Sequence, residues 1–111
     1  MDFSFPKEYE LFRRMVRRFA DNEVRPLAKV IDREHRVPHE TIAKAASLGL
    51  MGVPFPQEYG GMGGGVLDLC LVVEEFSRAC GGMGVGFAVN ALGSFPILVG
   101  GTDEQKERWL P

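Results

Sequence analysis

Leu11, Phe12, Met15, Val16 and Phe19 recur at the three- and four-residue spacing of one helix face, and Glu10, Arg13, Arg14, Arg17, Arg18 and Asp21 fill the gaps. The pattern predicts an amphipathic helix from Lys7 to Glu23, started at Ser4 or Phe5 with Pro6 tolerated in its first turn. Pro26 breaks it. Leu27, Val30 and Ile31 mark a short second helix from Pro26 to about Glu34, and Pro38 ends that region. A third, His39 to Leu48, carries Ile42, Ala43, Ala46 and Leu48, with Gly49 where a left-handed cap belongs. Val66 to Ala79 is densely apolar, its charges confined to Asp68, Glu74, Glu75 and Arg78. Gly81, Gly82 and Gly84 interrupt the pattern, which restarts from Val85 to Gly93, and Pro96 must kink or end that helix. Thr102 with Gln105 three residues on has the form of a capping box, opening a last helix through Glu107 and Arg108 toward Trp109. No stretch alternates with a period of two. The expectation is an all-α domain of about six helices, in an orthogonal or up-down bundle without internal repeats.

Between the third and fourth helices lies MGVPFPQEYGGMGGG, residues 51–65. A phosphate-binding loop needs a strand before it and a lysine at its end, and a dinucleotide fingerprint needs the same strand. Here a helix precedes the loop, and no lysine occurs between Lys44 and Lys106. The loop reads as a connector whose glycines permit positive φ and close backbone packing.

Composition narrows the function classes. A 111-residue chain with 45% apolar and 25% charged residues suits one soluble globular domain. Its net charge of −2 offers no electrostatic footprint for nucleic acid or an anionic membrane. Ala79 to Thr102 carries no charge and is long enough to cross a bilayer, but its glycines, Asn90, Ser94 and Pro96 favour a buried helix over membrane insertion. Cys70 and Cys80, about 15 Å apart if they share a helix, read as reduced thiols of a cytosol-like compartment. The N-terminus, MDFSFPKEYE, has no apolar run of a signal peptide. His35 and His39 have a zinc-like spacing, but Pro38 breaks the helix that would align them, so they read as surface histidines. The arginines of the first helix read as a solvated face, with Glu10 pairing Arg14 and Asp21 pairing Arg17. Glu74 and Glu75 point about 100° apart on their helix and are not a matched acid/base pair. From the residues alone, no nucleophile, base or metal constellation emerges.

At several places the chain resembles the N-terminal helical domain of the acyl-CoA dehydrogenases. The strings are LGLMGVPFPQEYGGMGGG, LCLVVEEFSRACGG and NALGSFPILVGGTDEQKERWLP, and the opening MDFSF…RRFADNEVRP resembles that family's first helix and its following proline. The most specific pieces are PQEYGGMG at 56–63 and GTDEQKERWLP at 101–111. The resemblance covers essentially the whole chain, in order, and implies one N-terminal α-domain over residues 1–111.

That resemblance carries expectations. In the family the loop joins two helices and is not the flavin phosphate site. A β-domain with a flavin segment of Thr-Glu-Pro…Gly-Ser-Asp type and a C-terminal helical domain with the catalytic glutamate follow. Both are expected outside this chain, so residues 1–111 alone are expected to be inactive and not to retain FAD. The implied reaction is the α,β-dehydrogenation of an acyl-CoA thioester, in which a carboxylate takes the α-proton and the β-hydrogen leaves as hydride to the flavin. Electrons then pass to an electron-transferring flavoprotein. The implied parent is a homo-oligomer, tetramer or dimer, cytoplasmic or in the mitochondrial matrix of a eukaryote. Val85, Ala88, Val89 and Leu92 form one helical stripe at the Asn90-Ala91-Leu92-Gly93 element, and the resemblance implies that it walls the acyl pocket. The alternative for the stripe is an ordinary core face. The alternatives for the protein are a same-fold flavoenzyme acting on a nitroalkane or an aromatic monooxygenase substrate, and a stand-alone helical interaction module.

Overall fold

The computed structural model describes residues 1–111 and contains only helices and loops. The α-helices are α1 (Lys7–Phe19), α2 (Ala28–Glu34), α3 (His39–Ser47), α4 (Val66–Ala79), α5 (Gly81–Gly100) and α6 (Asp103–Trp109). The expected all-α class and six helices are observed, with two differences of extent that matter for function.

The first concerns the proline boundaries. Pro6, not Ser4 or Phe5, precedes the first turn of α1, and no side chain caps it. Pro26 does not break the chain's course. Ahead of it α1 widens into a π turn over Ala20–Val24, and a 3₁₀ turn over Arg25–Leu27 leads into α2. A proline has no N–H to add to the α ladder, and a change of helix type absorbs that loss without a sharp corner. α2 ends at His35, which adopts a left-handed conformation at φ 50°.

The second concerns α5. The expected helix, Val85 to Gly93, extends from Gly81 to Gly100 with Pro96 inside it. Gly81 and Gly82 fall in the first turn, where backbone N–H groups have no intrahelical acceptor in any case, and the Gly84 amide already donates to the Cys80 carbonyl at 3.0 Å. Pro96 is exposed, and it withholds one ladder bond from the Leu92 carbonyl without ending the helix. α5 is also not the buried helix that its composition suggested. Only Met83, Gly84, Phe87 and Ala91 are buried. Within this chain α5 has neighbours on one side alone.

The core joins α1, α3, α4 and α5. Val16, Ala20, Val24, Ala45, Leu50, Val53, Val72, Phe76, Met83 and Phe87 form one buried cluster. Phe76 stands at its centre, stacked on Phe19 with ring centroids 5.6 Å apart and edge-on to Phe87 at 4.9 Å. Burial of each large apolar side chain contributes about 1.5–3 kcal/mol, and the ring pairs add to that. The fold is a slab of 42 × 41 × 23 Å with a radius of gyration of 14.7 Å, wider than the ~13 Å of a compact chain of this length. Such a shape leaves apolar helix faces without a second layer.

A charged seam binds α1 to α4. Glu75 is fully buried and accepts hydrogen bonds from Arg13 Nε at 3.0 Å, Arg17 Nε and Nη2 at 2.9 and 2.8 Å, and Arg78 Nε at 2.9 Å. Arg78 also donates to Asp21 at 2.8 Å, and Arg25 donates to Asp21 at 3.0 Å. The expected local pair of Arg17 with Asp21 is replaced by these bonds, Arg17 turning to Glu75 and Asp21 to Arg25 and Arg78, and the expected pair of Glu10 with Arg14 does not form. A buried carboxylate outcompetes exposed neighbours for a guanidinium fork because its bonds form away from water.

Loop 51–65 is tied together by its own backbone. The amides of Gly61, Met62, Gly63 and Gly64 donate to the carbonyls of Pro56, Gly52, Phe55 and Val53 at 3.0, 2.9, 2.8 and 3.0 Å. Gly61 is irreplaceable in this arrangement, because a Cβ there would lie 2.1 Å from the Phe55 carbonyl oxygen. The expected left-handed cap at Gly49 is present, with φ 77°. The capping box of α6 forms as expected: Gln105 N donates to Thr102 Oγ1 at 3.2 Å, and Thr102 N to Gln105 Oε1 at 2.9 Å.

Candidate functional site

α4 and α5 are joined by one residue, Cys80, in an extended conformation (φ −158°, ψ 114°). The two helices therefore run back along each other, Phe76 meeting Phe87 on the core side. Their outer side forms an open valley of about 350 Å³. α4 contributes Leu69, Val73 and Ser77, and α5 contributes Val85, Ala88, Val89, Ala91, Leu92 and Phe95, together with the backbone at Gly84.

All four residues of the sequence-predicted stripe line this valley. Val85, Val89 and Leu92 are 65%, 53% and 72% exposed, and Ala88 is half-buried. They are not a core face of this chain. The core is served by the neighbouring stripe of Met83 and Phe87, and Ala91, also nearly inaccessible, stands at the boundary where that stripe meets the valley. α5 thus presents apolar residues on two sides, with neighbours on one only. Leu69, Val73, Ser77 and Phe95 escaped the sequence reading. The first three repeat at every fourth position of α4, but Leu71, Val72 and Phe76 repeat equally well, and only packing shows which stripe turns inward.

No charged side chain lines the valley. The nearest buried carboxyl, Glu75, belongs to the seam on the other side of α4. Burial alone would raise its pKa, but the hydrogen bonds from Arg17, Arg78 and Arg13 outweigh that and hold it at about 2. A carboxylate so stabilised is a poor proton acceptor, so Glu75 has a structural task. Glu74 beside it is exposed and 3.4 Å from Arg13. His35 and His39 are both exposed, on either side of Pro38. Cys70 and Cys80 are free thiols.

The glycine loop does not fit a flavin pyrophosphate. Seven of its amides are spent on its own carbonyls, no strand enters it, and no cationic side chain lies within it. No residue of this chain is therefore assigned to FAD. The site is a binding wall, apolar and shaped, without its own acid, base or electrophile.

Residues 6–111 match the acyl-CoA dehydrogenase N-terminal domain family, and the chain belongs to that family. It is similar to the short-chain specific acyl-CoA dehydrogenase of Clostridium acetobutylicum, with 47% identity over 111 residues, covering 99% of this chain and 29% of that protein. Its fold is similar to butyryl-CoA dehydrogenase from Megasphaera elsdenii, with a TM-score of 0.88 and 31% identity, covering 99% of this chain and 30% of that one. It is also similar to a chain in the structure of the electron transferring flavoprotein of Acidaminococcus fermentans, with a TM-score of 0.91 and 35% identity, over 99% of this chain and 29% of that one. The chain spans under a third of the length of the relatives it matches.

Proposed function

We propose that residues 1–111 form the N-terminal wall of the acyl pocket in an FAD-dependent acyl-CoA dehydrogenase, which dehydrogenates the Cα–Cβ bond of an acyl-CoA thioester. The observation that carries this reading is the exposed stripe of Val85, Ala88, Val89 and Leu92 in an uncharged valley. The functions named for the relatives in C. acetobutylicum and M. elsdenii agree with it. FAD supplies the redox chemistry in that reading and is held by other parts of the enzyme. The electron acceptor is an electron-transferring flavoprotein, and the enzyme is a cytoplasmic homo-oligomer. Free cysteines suit that compartment.

The task of this chain's own residues is to bind and align. Each acyl methylene laid against the wall contributes about 0.8 kcal/mol. The absence of charge keeps the tail from drawing water toward the reacting carbons. Binding energy gained on the tail supports positioning at the thioester end, so a poorly held chain loses kcat as well as affinity.

The test is Ala88→Phe in the full-length enzyme, assayed across a series of acyl chain lengths. The ring fills valley space, so long substrates should lose kcat/KM while short ones retain most of theirs. A uniform loss across the series, with a large drop in melting temperature, would return Ala88 to a purely structural role.

A further inference from the structure

We propose that Ser77 determines specificity by closing the α4–α5 valley at one end and setting where the acyl chain stops. The inference rests on the acyl-wall reading above and adds a residue to which the sequence reading gave no role.

Three observations converge on Ser77. The first is steric. A Cβ built on Gly84 would lie 2.0 Å from Ser77 Oγ and 3.0 Å from its Cα. At this level α4 and α5 are in contact, side chain against backbone, and no methylene fits between them. The second is the state of the hydroxyl. Ser47 and Ser94, also on helices, donate to the carbonyls of Lys44 and Asn90 at 2.8 and 2.9 Å. Ser77 is exposed and makes no hydrogen bond within the chain, so its hydroxyl is open to water, and its oxygen stands beside Gly84 at the valley wall. The third is contrast. Leu69, Val73, Val85, Ala88 and Val89 give the valley an apolar lining, and Ser77 is its only polar side chain.

Together these make a chemical end-stop. An alkyl chain gains from every methylene laid on the apolar wall. A methyl group pressed on the Ser77 hydroxyl strips that group of water and gives it no partner, which is unfavourable. The favoured chain therefore ends one carbon short of Ser77.

The experiment uses the full-length enzyme and a series of straight-chain acyl-CoA substrates. Its readout is the kcat/KM ratio between a substrate one carbon longer than the wild-type optimum and the optimum itself. A ratio measured on one enzyme sample does not depend on the fraction folded. Ser77→Ala should raise it about 4-fold, equivalent to the ~0.8 kcal/mol of one buried methylene. Ser77→Thr keeps the hydroxyl and adds a methyl, and should lower it by a similar factor. Ser77→Val has the shape of threonine without the hydroxyl, and should restore part of the loss. Ala and Thr variants that leave the ratio unchanged, or move it the same way, would overturn the proposal. Val and Thr variants that behave identically would overturn the part played by the hydroxyl. Ala88→Phe on the same series separates the two claims. If it alters the chain-length profile while the Ser77 variants do not, the end-stop fails and the wall stands. If none of them alters the profile, the wall reading fails.

Discussion

α4 belongs to two seams built on opposite principles. Toward α1 it presents Glu75, bound by Arg13 and Arg17 of the facing helix and by its own Arg78. Toward the outer side of α5 it presents Leu69, Val73 and Ser77. The first seam is directional, because each guanidinium satisfies the carboxylate only in a narrow range of positions. The second is non-directional, because apolar contact depends on shape and area removed from water. A directional seam suits an arrangement that must not vary between substrates. In the proposed function, a non-directional one suits a surface that takes chains differing by whole methylenes.

The comparison breaks most visibly at Glu75. Glu75→Gln should lower unfolding free energy by about 3 kcal/mol, at the low end for disrupting a buried ion pair because its arginines partly reach water. Urea unfolding measures it, and a change under 1 kcal/mol would mean that the seam only decorates the core. Acid should act through the same group. The Glu75 carboxyl has a pKa of about 2, below its ordinary 4.5, so its contribution is complete above about pH 4.5 and is lost as pH falls toward 2. Asp21, held low by Arg78 and then Arg25, follows the same direction. Melting temperature measured from pH 6 to pH 2.5 should fall most steeply below pH 4.5 in the wild type, and less steeply in Glu75→Gln.

The glycine loop should respond next. Gly61→Ala places a methyl against the Phe55 carbonyl, and overpacking of this kind costs about 1–3 kcal/mol. Wild-type stability in that variant would mean that the loop yields without strain. The valley should respond least. Leu92→Ser removes a large apolar side chain that is 72% exposed, and stability of the isolated domain should change by no more than about 0.5 kcal/mol. In the full-length enzyme the same change should weaken long-chain substrates. Loss of stability in the isolated domain, comparable to that of Glu75→Gln, would show that the two seams do not differ in purpose.

Much of this was legible in the residues. Periodicity placed α1, α3 and α4 within a few residues of their ends, and Thr102 with Gln105 marked the start of α6. Helical spacing placed Val85, Ala88, Val89 and Leu92 on one stripe, and the structure sets that stripe along the valley. Three features were not legible. Pro26 and Pro96 carry the same local signal, yet one lies in a change of helix type and the other inside a helix, because neighbours and solvent decide what becomes of the missing bond. Arg13 and Arg17 of α1 have nearby acidic residues in sequence but bind Glu75, 58 residues beyond Arg17. Ser77 is an unremarkable helical serine until Gly84 is set against it.

The sequence by itself determined what is local and periodic: the helical class, most helix limits, the left-handed turn at Gly49, and a loop without the lysine or strand of a phosphate site. Its family motifs identified the domain. Tertiary structure decided which face of each apolar helix is core and which is wall. α4 and α5 are apolar on more than one side, so period and composition leave the inward stripe undetermined. The choice was made by the Phe19–Phe76–Phe87 packing and by the buried charge of Glu75. These fix the rotation of α4 about its axis and leave Leu69, Val73 and Ser77 facing the valley.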